Sequence, residues 1–389
     1  MPCELHHLAW PFFEPRHREF AGCFAAWSAS ALGDYDREGP EDGATARKIF
    51  QQLGEGGWLG LTLPEREPAD TGLGLDLRAA CLLREILAFE SVVLDVAFSE
   101  PWLGILPIHL AGSAQLKSRY LPGYRAGELL PAFALSEPDA GSDAAAINTT
   151  AHRDGAQYVL NGRKTWTSNA GSADVYVVFA RMHGPDDQQG LSAFAVDGAA
   201  SGIIIEDPLQ VMSPHSVATW RLEECRIPAD CLIGRPGDGM RIAMAALEAF
   251  RPTVGAATLG MSRCAMSEAV TRSLQRSAFR KPIAEYQIIQ AKIADMAVKV
   301  DASALLVYRA AWQSDTLGRR IPREAAIAKL YASEAASSII DQAVQVFGGL
   351  GVKRGTAVER LYRHSRPFRI FDGTSEIQQM IIARDVLRA

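Results

Sequence analysis

The sequence predicts an α+β chain in which a strand-rich middle segment is set between two helical ones. Three observations predict it. The stretch 78–98 carries Leu82, Leu83, Ile86, Leu87 and Phe89 with no internal glycine or proline, and reads as helix. Between about 131 and 235, short β-branched and aromatic runs recur at 158–160, 175–179, 191–196 and 203–205. Beyond 236, Ile289, Ile293, Met296, Val300 and Val307 follow helical spacing.

Taken in order, the first segment (1–130) is helical, with loops marked by Gly54, Gly56, Gly57, Pro64, Pro68, Gly72 and Gly74. In the second (131–235), the run 158–160 leads into Asn161-Gly162, a hairpin turn signal, and Trp220 with Leu222 suggests a further half-buried strand. Short strands with turns between them predict a small barrel or sandwich. In the third (236–389), Pro322 with Glu324 two residues on marks a helix start, and three or four long helices there predict a bundle. A barrel between two helical parts must pack against both, and the junction is a natural ligand site.

Composition narrows the function classes. A net charge of −5 and the lack of a long basic run argue against nucleic-acid binding. No apolar run of membrane-spanning length is visible, so no span is expected. Six cysteines without a C-x-x-C pair predict reduced thiols in a cytoplasm and no metal site. The first residues show no secretory signal, and His6-His7 reads as a surface pair.

Three segments carry chemistry. Residues 133–143 contain Ser136-Glu137-Pro138 and Gly141-Ser142-Asp143, a turn followed by close backbone approach, with two hydroxyls facing a polar ligand. Residues 161–169 set Trp166 beside Thr165, Thr167 and Ser168; this suits a flat heterocycle, though taken alone the stretch reads first as a hairpin with a core tryptophan. Residues 371–378 place Asp372, Gly373, Thr374 and Glu376 before a helical run. That is either a turn with an N-cap or a base beside a backbone that approaches a ligand closely.

Together these segments resemble the flavin-dependent acyl-CoA dehydrogenase family. The matching motifs are Leu-Ser-Glu-Pro-x-Ala-Gly-Ser-Asp from Leu135, Asn-Gly-x-Lys-x-Trp-x-Ser-Asn from Asn161, and Phe-Asp-Gly-Thr-Ser-Glu-Ile-Gln from Phe371. The Gln-x-x-Gly-Gly-x-Gly motif from Gln345 and the stretch 291–296 agree, so the likeness spans nearly the whole chain.

The resemblance implies an N-terminal all-α domain, a central β-barrel and a C-terminal four-helix bundle. It also implies FAD, shared with a neighbouring subunit of a homotetramer or homodimer. It places Phe133, Leu135, Ser136 and Ser142 along the flavin and thioester site, Ser142 toward both. Trp166 would pack on the isoalloxazine and Ser168 would hydrogen-bond near N5. Arg276, Phe279 and Gln287 match positions that touch FAD across the dimer, and Gln345, Gly348 and Gly349 match those receiving its far half. Thr374 and Glu376 fall near its phosphates and adenosine. Arg280 stands where the family has glycine, and a solvent-lying side chain is expected.

Asp372 is the base implied by the resemblance, where most of the family has Glu; it reaches about 1.5 Å less far. Phe250 occupies the family's alternative base position and cannot serve. Glu100 and Asp95 stand as rival carboxylates near the acyl pocket, with Glu100 read foremost as a helix-end group beside Pro101. Arg251 matches a position near the pantetheine arm, and Gly373 adjoins the thioester. Arg360, Arg363, Arg366 and Arg369 read either as an anion site or as a solvated, ion-paired face.

The implied activity is α,β-dehydrogenation of an acyl thioester, on CoA or on a carrier protein. Phe98 and Trp102 suggest a bulky pocket wall for short, branched or cyclic acyl groups, and electrons would leave through an electron-transfer flavoprotein. A nitroalkane-oxidase-like oxidase, which uses Asp at the same position, and a non-catalytic FAD-binding relative remain alternatives.

Overall fold

A computed structural model describes residues 5–32, 43–63, 75–182, 190–318 and 320–388. The N-terminal part holds α1 (Pro15–Ala31), α2 (Ala44–Glu55), α3 (Trp58–Thr62), α4 (Leu77–Glu90), α5 (Val92–Ala111) and α6 (Ala114–Arg125). The middle part is one sheet: β1 (Pro131–Ala134), β2 (Thr150–Asp154), β3 (Gln157–Ser168), β4 (Val175–Met182), β5 (Leu191–Asp197), β6 (Ile203–Pro208), β7 (Val217–Pro228) and β8 (Leu232–Ile233). Then come α7 (Gly239–Gln275), the short strands β9 (Ser277–Ala278) and β10 (Lys281–Pro282), α8 (Gln287–Leu317), α9 (Pro322–Phe347), α10 (Ala357–Ser365) and α11 (Ser375–Val386).

The architecture is an all-α N-terminal part, a central β-barrel and a C-terminal four-helix bundle of α7, α8, α9 and α11. The pairing path runs β6-β7-β3-β2-β4-β5-β8, with β1 added in parallel to β4. Strand β4 explains why its sequence is apolar without alternation. Val175, Val177 and Phe179 join the core shared with the helices, while Tyr176, Val178 and Ala180 join the sheet's own core with Trp220.

Helix α4 packs along α7 and α8 and ties the two helical parts together. Three of its charged residues are buried, and each of the three has a partner. Arg78 meets Asp315 at 2.8 Å, Arg84 meets Asp95 at 2.7 Å, and Glu85 meets Arg263 at 2.6 Å. Helix α5 is long and apolar enough to cross a membrane by length and composition, but 94% of that window is buried inside the protein.

Four local expectations are corrected. The stretch 78–98 is two helices, not one. Ser91 turns extended (φ −166°), accepts the N–H of Val93 at 3.2 Å and donates its own N–H to Leu87 at 2.8 Å. Capping both neighbours, it breaks the helix without glycine or proline. Asn161-Gly162 is no hairpin turn: it lies inside β3, where the register shifts between Leu160 and Gly162. The turn between β2 and β3 falls instead at Gly155 (φ 61°). Gly54 sits within α2, where a Cβ would lie 2.3 Å from the backbone of Ala126. His7 is buried, stacked on Tyr308 at 4.8 Å and 3.3 Å from Glu85. Although burial raises Glu85, His7 and Arg263 hold its carboxyl down to about 2. The loop markers Pro64, Pro68, Gly72 and Gly74 lie outside the described residues.

Candidate active site

The loop between α10 and α11 is shaped by two consecutive left-handed residues, Asp372 (φ 56°) and Gly373 (φ 95°). The φ of Gly373 favours glycine, and a Cβ there would also come 2.7 Å from the end of the Gln378 side chain and displace it. Asp is among the few other residues that tolerate this region. Thr374 ends the loop as the N-cap of α11, its Oγ1 accepting the Ile377 N–H at 3.3 Å, with Glu376 exposed in the first turn. The capping reading of the motif therefore holds for Thr374, and it leaves Asp372 free of that duty.

Two buried cations hold the loop. Lys329 on α9 donates from Nζ to the Gly373 carbonyl at 2.9 Å, and Arg251 on α7 donates from Nε to the Asp372 carbonyl at 3.3 Å. Gln378 donates to the same Gly373 carbonyl at 2.7 Å. Burial lowers Lys329 to about 8, even though Asp372 pulls it upward. Burial also lowers Arg251, against the charges of Asp372 and Glu248. The resemblance implied Arg251 beside a pantetheine arm; the structure buries it and gives it the loop carbonyl as partner.

Lys329 was missed in the sequence. Its signal was a lysine four residues after Ala325 and three before Ala332, on the face α9 buries. The arginine series 360–369 follows the solvated reading where partners are seen: Arg363 pairs with Glu359 at 2.6 Å and Arg369 with Glu334 at 2.8 Å.

The Asp372 carboxyl is pushed up to about 7. Burial is the main cause and the charge of Glu100 adds to it, while Lys329, Arg84 and Arg251 pull it back. Glu100 is not at a helix end. It lies mid-way along α5, and its Oε2 accepts the Ser168 hydroxyl at 2.9 Å. Burial raises its carboxyl, with Ser168 and Arg84 opposing and Asp95 adding. Asp95 is excluded as a rival base by its fork to Arg84, with Nε–Oδ1 and NH2–Oδ2 both at 2.7 Å. Arg84 also lies 4.9 Å from the Phe250 ring.

The wall beside this cluster is aromatic and buried. Phe98 and Trp102 stack at 6.2 Å, and Trp102 and Phe250 at 6.0 Å.

The sheet contributes the other side. Glu137 and Ala140 exchange backbone hydrogen bonds at 3.1 Å, which makes the expected turn. The buried Lys164 donates to Glu137 Oε1 at 2.8 Å and to the Leu135 carbonyl at 3.1 Å, locking the end of β1 to β3. Burial brings Lys164 down to about 8, with Glu137 opposing. The β3 register shifts again between Lys164 and Thr167, and Trp166 takes φ 56° there. A bulge of this kind re-aims a side chain. The indole is 61% exposed rather than a core residue; Trp220 fills the core instead. Phe133 and Ser136 are half-buried, Leu135 is buried, and Ser142 is exposed.

An exposed, rigidly held indole beside hydroxyls and a carboxyl-bearing cleft fits the ring of a flat heterocyclic cofactor. Arg276, Phe279, Gln287, Gln345, Gly348 and Gly349 are all exposed and have no hydrogen bond to the Asp372 loop. A Cβ at Gly348 or Gly349 would meet nothing within 4 Å, so open space lies over that turn. Phe279 and Arg280 form the tip of the β9–β10 hairpin, both left-handed (φ 50° and 75°), and Arg280 is in solvent as expected.

A barrel packed on a helical bundle, with a half-buried carboxyl at the junction and an exposed indole on the sheet, suits a flavin-dependent oxidoreductase. The chain belongs to the acyl-CoA dehydrogenase family and uses FAD. Residues 14–128, 132–224 and 237–387 match that family's N-terminal, middle and C-terminal domains. It is similar to 3-(aryl)acrylate reductase of Clostridium sporogenes (strain ATCC 15579), 36% identical over 384 residues, covering 97% of this chain and 100% of that protein. It is also similar to the mitochondrial short-chain specific acyl-CoA dehydrogenase of Homo sapiens, 39% identical over 346 residues, covering 87% and 82%. Among solved structures, an acyl-CoA dehydrogenase complexed with FAD from Bacillus anthracis superposes with a TM-score of 0.87 at 31% identity, covering 97% of this chain and 67% of that one.

Proposed function

We propose that the chain catalyses α,β-dehydrogenation of an acyl thioester with Asp372 as the base. The observation that carries this reading is Asp372, half-buried on a glycine-bearing loop with its carboxyl raised to about 7, where a base is best matched to neutral pH. Asp372 takes the α-proton. Its backbone N–H donates to the thioester carbonyl, stabilising the charge that develops there. Lys329 and Arg251 grip the two carbonyls of the loop and keep the carboxyl aimed. Gly373 lets the thioester approach. The aromatic wall excludes water and shortens the acyl cavity. FAD, when bound, supplies the redox chemistry by accepting the β-hydride.

Trp166, Ser168, Ser136, Ser142, Phe133 and Leu135 would hold the ring side of FAD, with Thr374 and Glu376 nearer its phosphates. Arg276, Phe279, Gln287, Gln345, Gly348 and Gly349 would serve a cofactor shared with a second copy, in a homodimer or homotetramer. Exposed apolar residues on α8, Ile288 and Val298 at 69% and 67%, support such an assembly. The substrate would be a CoA or carrier-protein thioester of a short, branched or cyclic acid. The Phe98–Trp102–Phe250 wall supports this, as do relatives named for short-chain and aryl substrates. Electrons would pass to an electron-transfer flavoprotein. Five free cysteines among the described residues suit a cytoplasmic setting.

The test is anaerobic mixing of the FAD-loaded protein with a thioester panel while flavin absorbance is followed. Rapid bleaching by short or aryl-substituted thioesters is expected. Faster bleaching by long straight chains would overturn the pocket reading. Oxygen consumption with nitroalkanes and none with thioesters would select the oxidase. A yellow protein that no thioester bleaches would select a non-catalytic relative.

A further inference from the structure

The base loop, residues 370–374, has little packing of its own. Ile370 is 54% exposed, and Phe371, Asp372, Gly373 and Thr374 are half-buried. Asp372 and Gly373 both hold left-handed backbone. Such a conformation in a non-glycine residue persists only where the surroundings over-determine it. The grip on the loop therefore has to come from outside it, and at its two ends it comes from one atom. Arg369, the residue just before the loop, donates from Nε to Glu334 Oε1 at 2.8 Å. Ser375, the first residue of α11 and the one just after the loop, donates from Oγ to the same oxygen at 2.5 Å.

Glu334 lies on α9, five residues beyond Lys329, whose Nζ holds the Gly373 carbonyl within the loop. At 1.5 Å of rise per residue the two anchor points are about 7.5 Å apart along the helix. One helix thus fixes both shoulders of the loop and a point between them. The two shoulders differ in character. Arg369 and Glu334 have side chains 35% and 38% exposed, so as an isolated ion pair they would contribute little. Ser375 is buried, and its hydroxyl loses this acceptor if the carboxylate is removed. The carboxylate matters as a junction of two donors, one on each side of the base. Thr374 and not Ser375 caps α11, so the Ser375 hydroxyl is not needed to start that helix.

We propose that Glu334 is the positioning residue that closes the base loop, drawing Arg369 and Ser375 onto one oxygen so that Asp372 keeps the backbone angle that aims its carboxyl. The inference rests on Asp372 being the base. Glu334 acts through the backbone of residues 370–374 and takes no part in the proton transfer itself. A base displaced by about 1 Å loses on the order of a hundredfold in rate. The effect of loosening the loop therefore falls on the chemical step rather than on thioester binding.

The experiment measures kcat, KM and Tm for the FAD-loaded wild type, Glu334→Ala, Glu334→Gln and the double variant Arg369→Ala/Ser375→Ala. E334A is expected to lose about ten- to a hundredfold in kcat, with KM changed by less than about twofold. E334Q keeps an oxygen that accepts both donors and is expected to stay within about threefold of the wild type. R369A/S375A is expected to be as slow as E334A, and adding E334A to it is expected to cost nothing further, because the three residues act as one unit. A merely structural Glu334 would lower Tm and leave kcat of the folded protein unchanged, so wild-type kcat in E334A overturns the proposal. So does an E334A loss that reappears in full on the R369A/S375A background. If E334A does not fold, R369A/S375A decides: a tenfold lower kcat at unchanged KM supports the proposal, and a wild-type kcat overturns it. Single-turnover flavin reduction by Asp372→Asn separates the two readings. If D372N is slow while E334A reduces at the wild-type rate, only the loop closure fails; if D372N reduces at the wild-type rate, the base assignment fails first.

Discussion

Lys329→Met removes a buried charge that faces the proposed base while keeping a side chain of similar size. In the wild type, Asp372 sits at about 7 and Lys329 at about 8, each stabilising the charged form of the other. The kcat/KM profile is therefore expected to be a narrow bell between those values. Removing an opposite charge at this range raises a carboxyl by about one unit. At pH 7 the ionised fraction of Asp372 then drops from about one half to about one in eleven, a fivefold loss of rate. The alkaline limb disappears, because the group that titrates there is gone. The Gly373 carbonyl is not orphaned, since Gln378 still donates to it at 2.7 Å, so folding is expected to survive. The assay is initial-rate kinetics from pH 5.5 to 9.5, backed by circular dichroism. A K329M profile identical to the wild type would refute the assignment of Lys329 and Asp372 as the two titrating groups.

Trp166→Ala is expected to fold normally, because the indole is 61% exposed, yet to retain FAD about ten- to a hundredfold more weakly in a dialysis-retention assay. Arg280→Gly relieves a non-glycine residue at φ 75° and is expected to raise stability by about 0.5–1 kcal/mol in urea titration of the apoprotein. Asp372→Asn is expected to raise Tm at pH 8 and to lose that gain at pH 4. A carboxyl raised from 3.8 to about 7 on folding keeps its proton in the native state while the unfolded chain has lost it, so stability falls as pH rises through that window. Three units set an upper limit of about 4 kcal/mol, and a Tm difference independent of pH would count against a raised Asp372 carboxyl.

Element order and type were legible from local signals: helical spacing in α8, a helix-start signal at Pro322 for α9, and β-branched runs in the sheet. What was not legible depended on partners distant in the chain. Asn161-Gly162 carries the same local signal in a hairpin and in a bulge, and only pairing of β3 with β7 decides between them. His7 looks like a surface residue until Glu85, Arg263 and Tyr308 surround it. At the site, Asp372, Gly373 and Trp166 were visible as motifs. Lys329 was not, because its partner carbonyl lies 44 residues away. Glu100 was visible but misread, since proline usually marks a helix edge and here α5 runs through Pro101 and Pro107. The Lys164–Glu137 lock was present in the motifs as letters, but its function of joining β1 to β3 is a property of the fold.

The most direct measurement is single-turnover reduction of FAD-loaded D372N by the thioester that bleaches the wild type fastest. Asn preserves the loop geometry and removes the base. Reduction slowed by about a thousandfold or more, with cofactor still bound, is the expected result. Bleaching at the wild-type rate would contradict the assignment of the α-proton to Asp372.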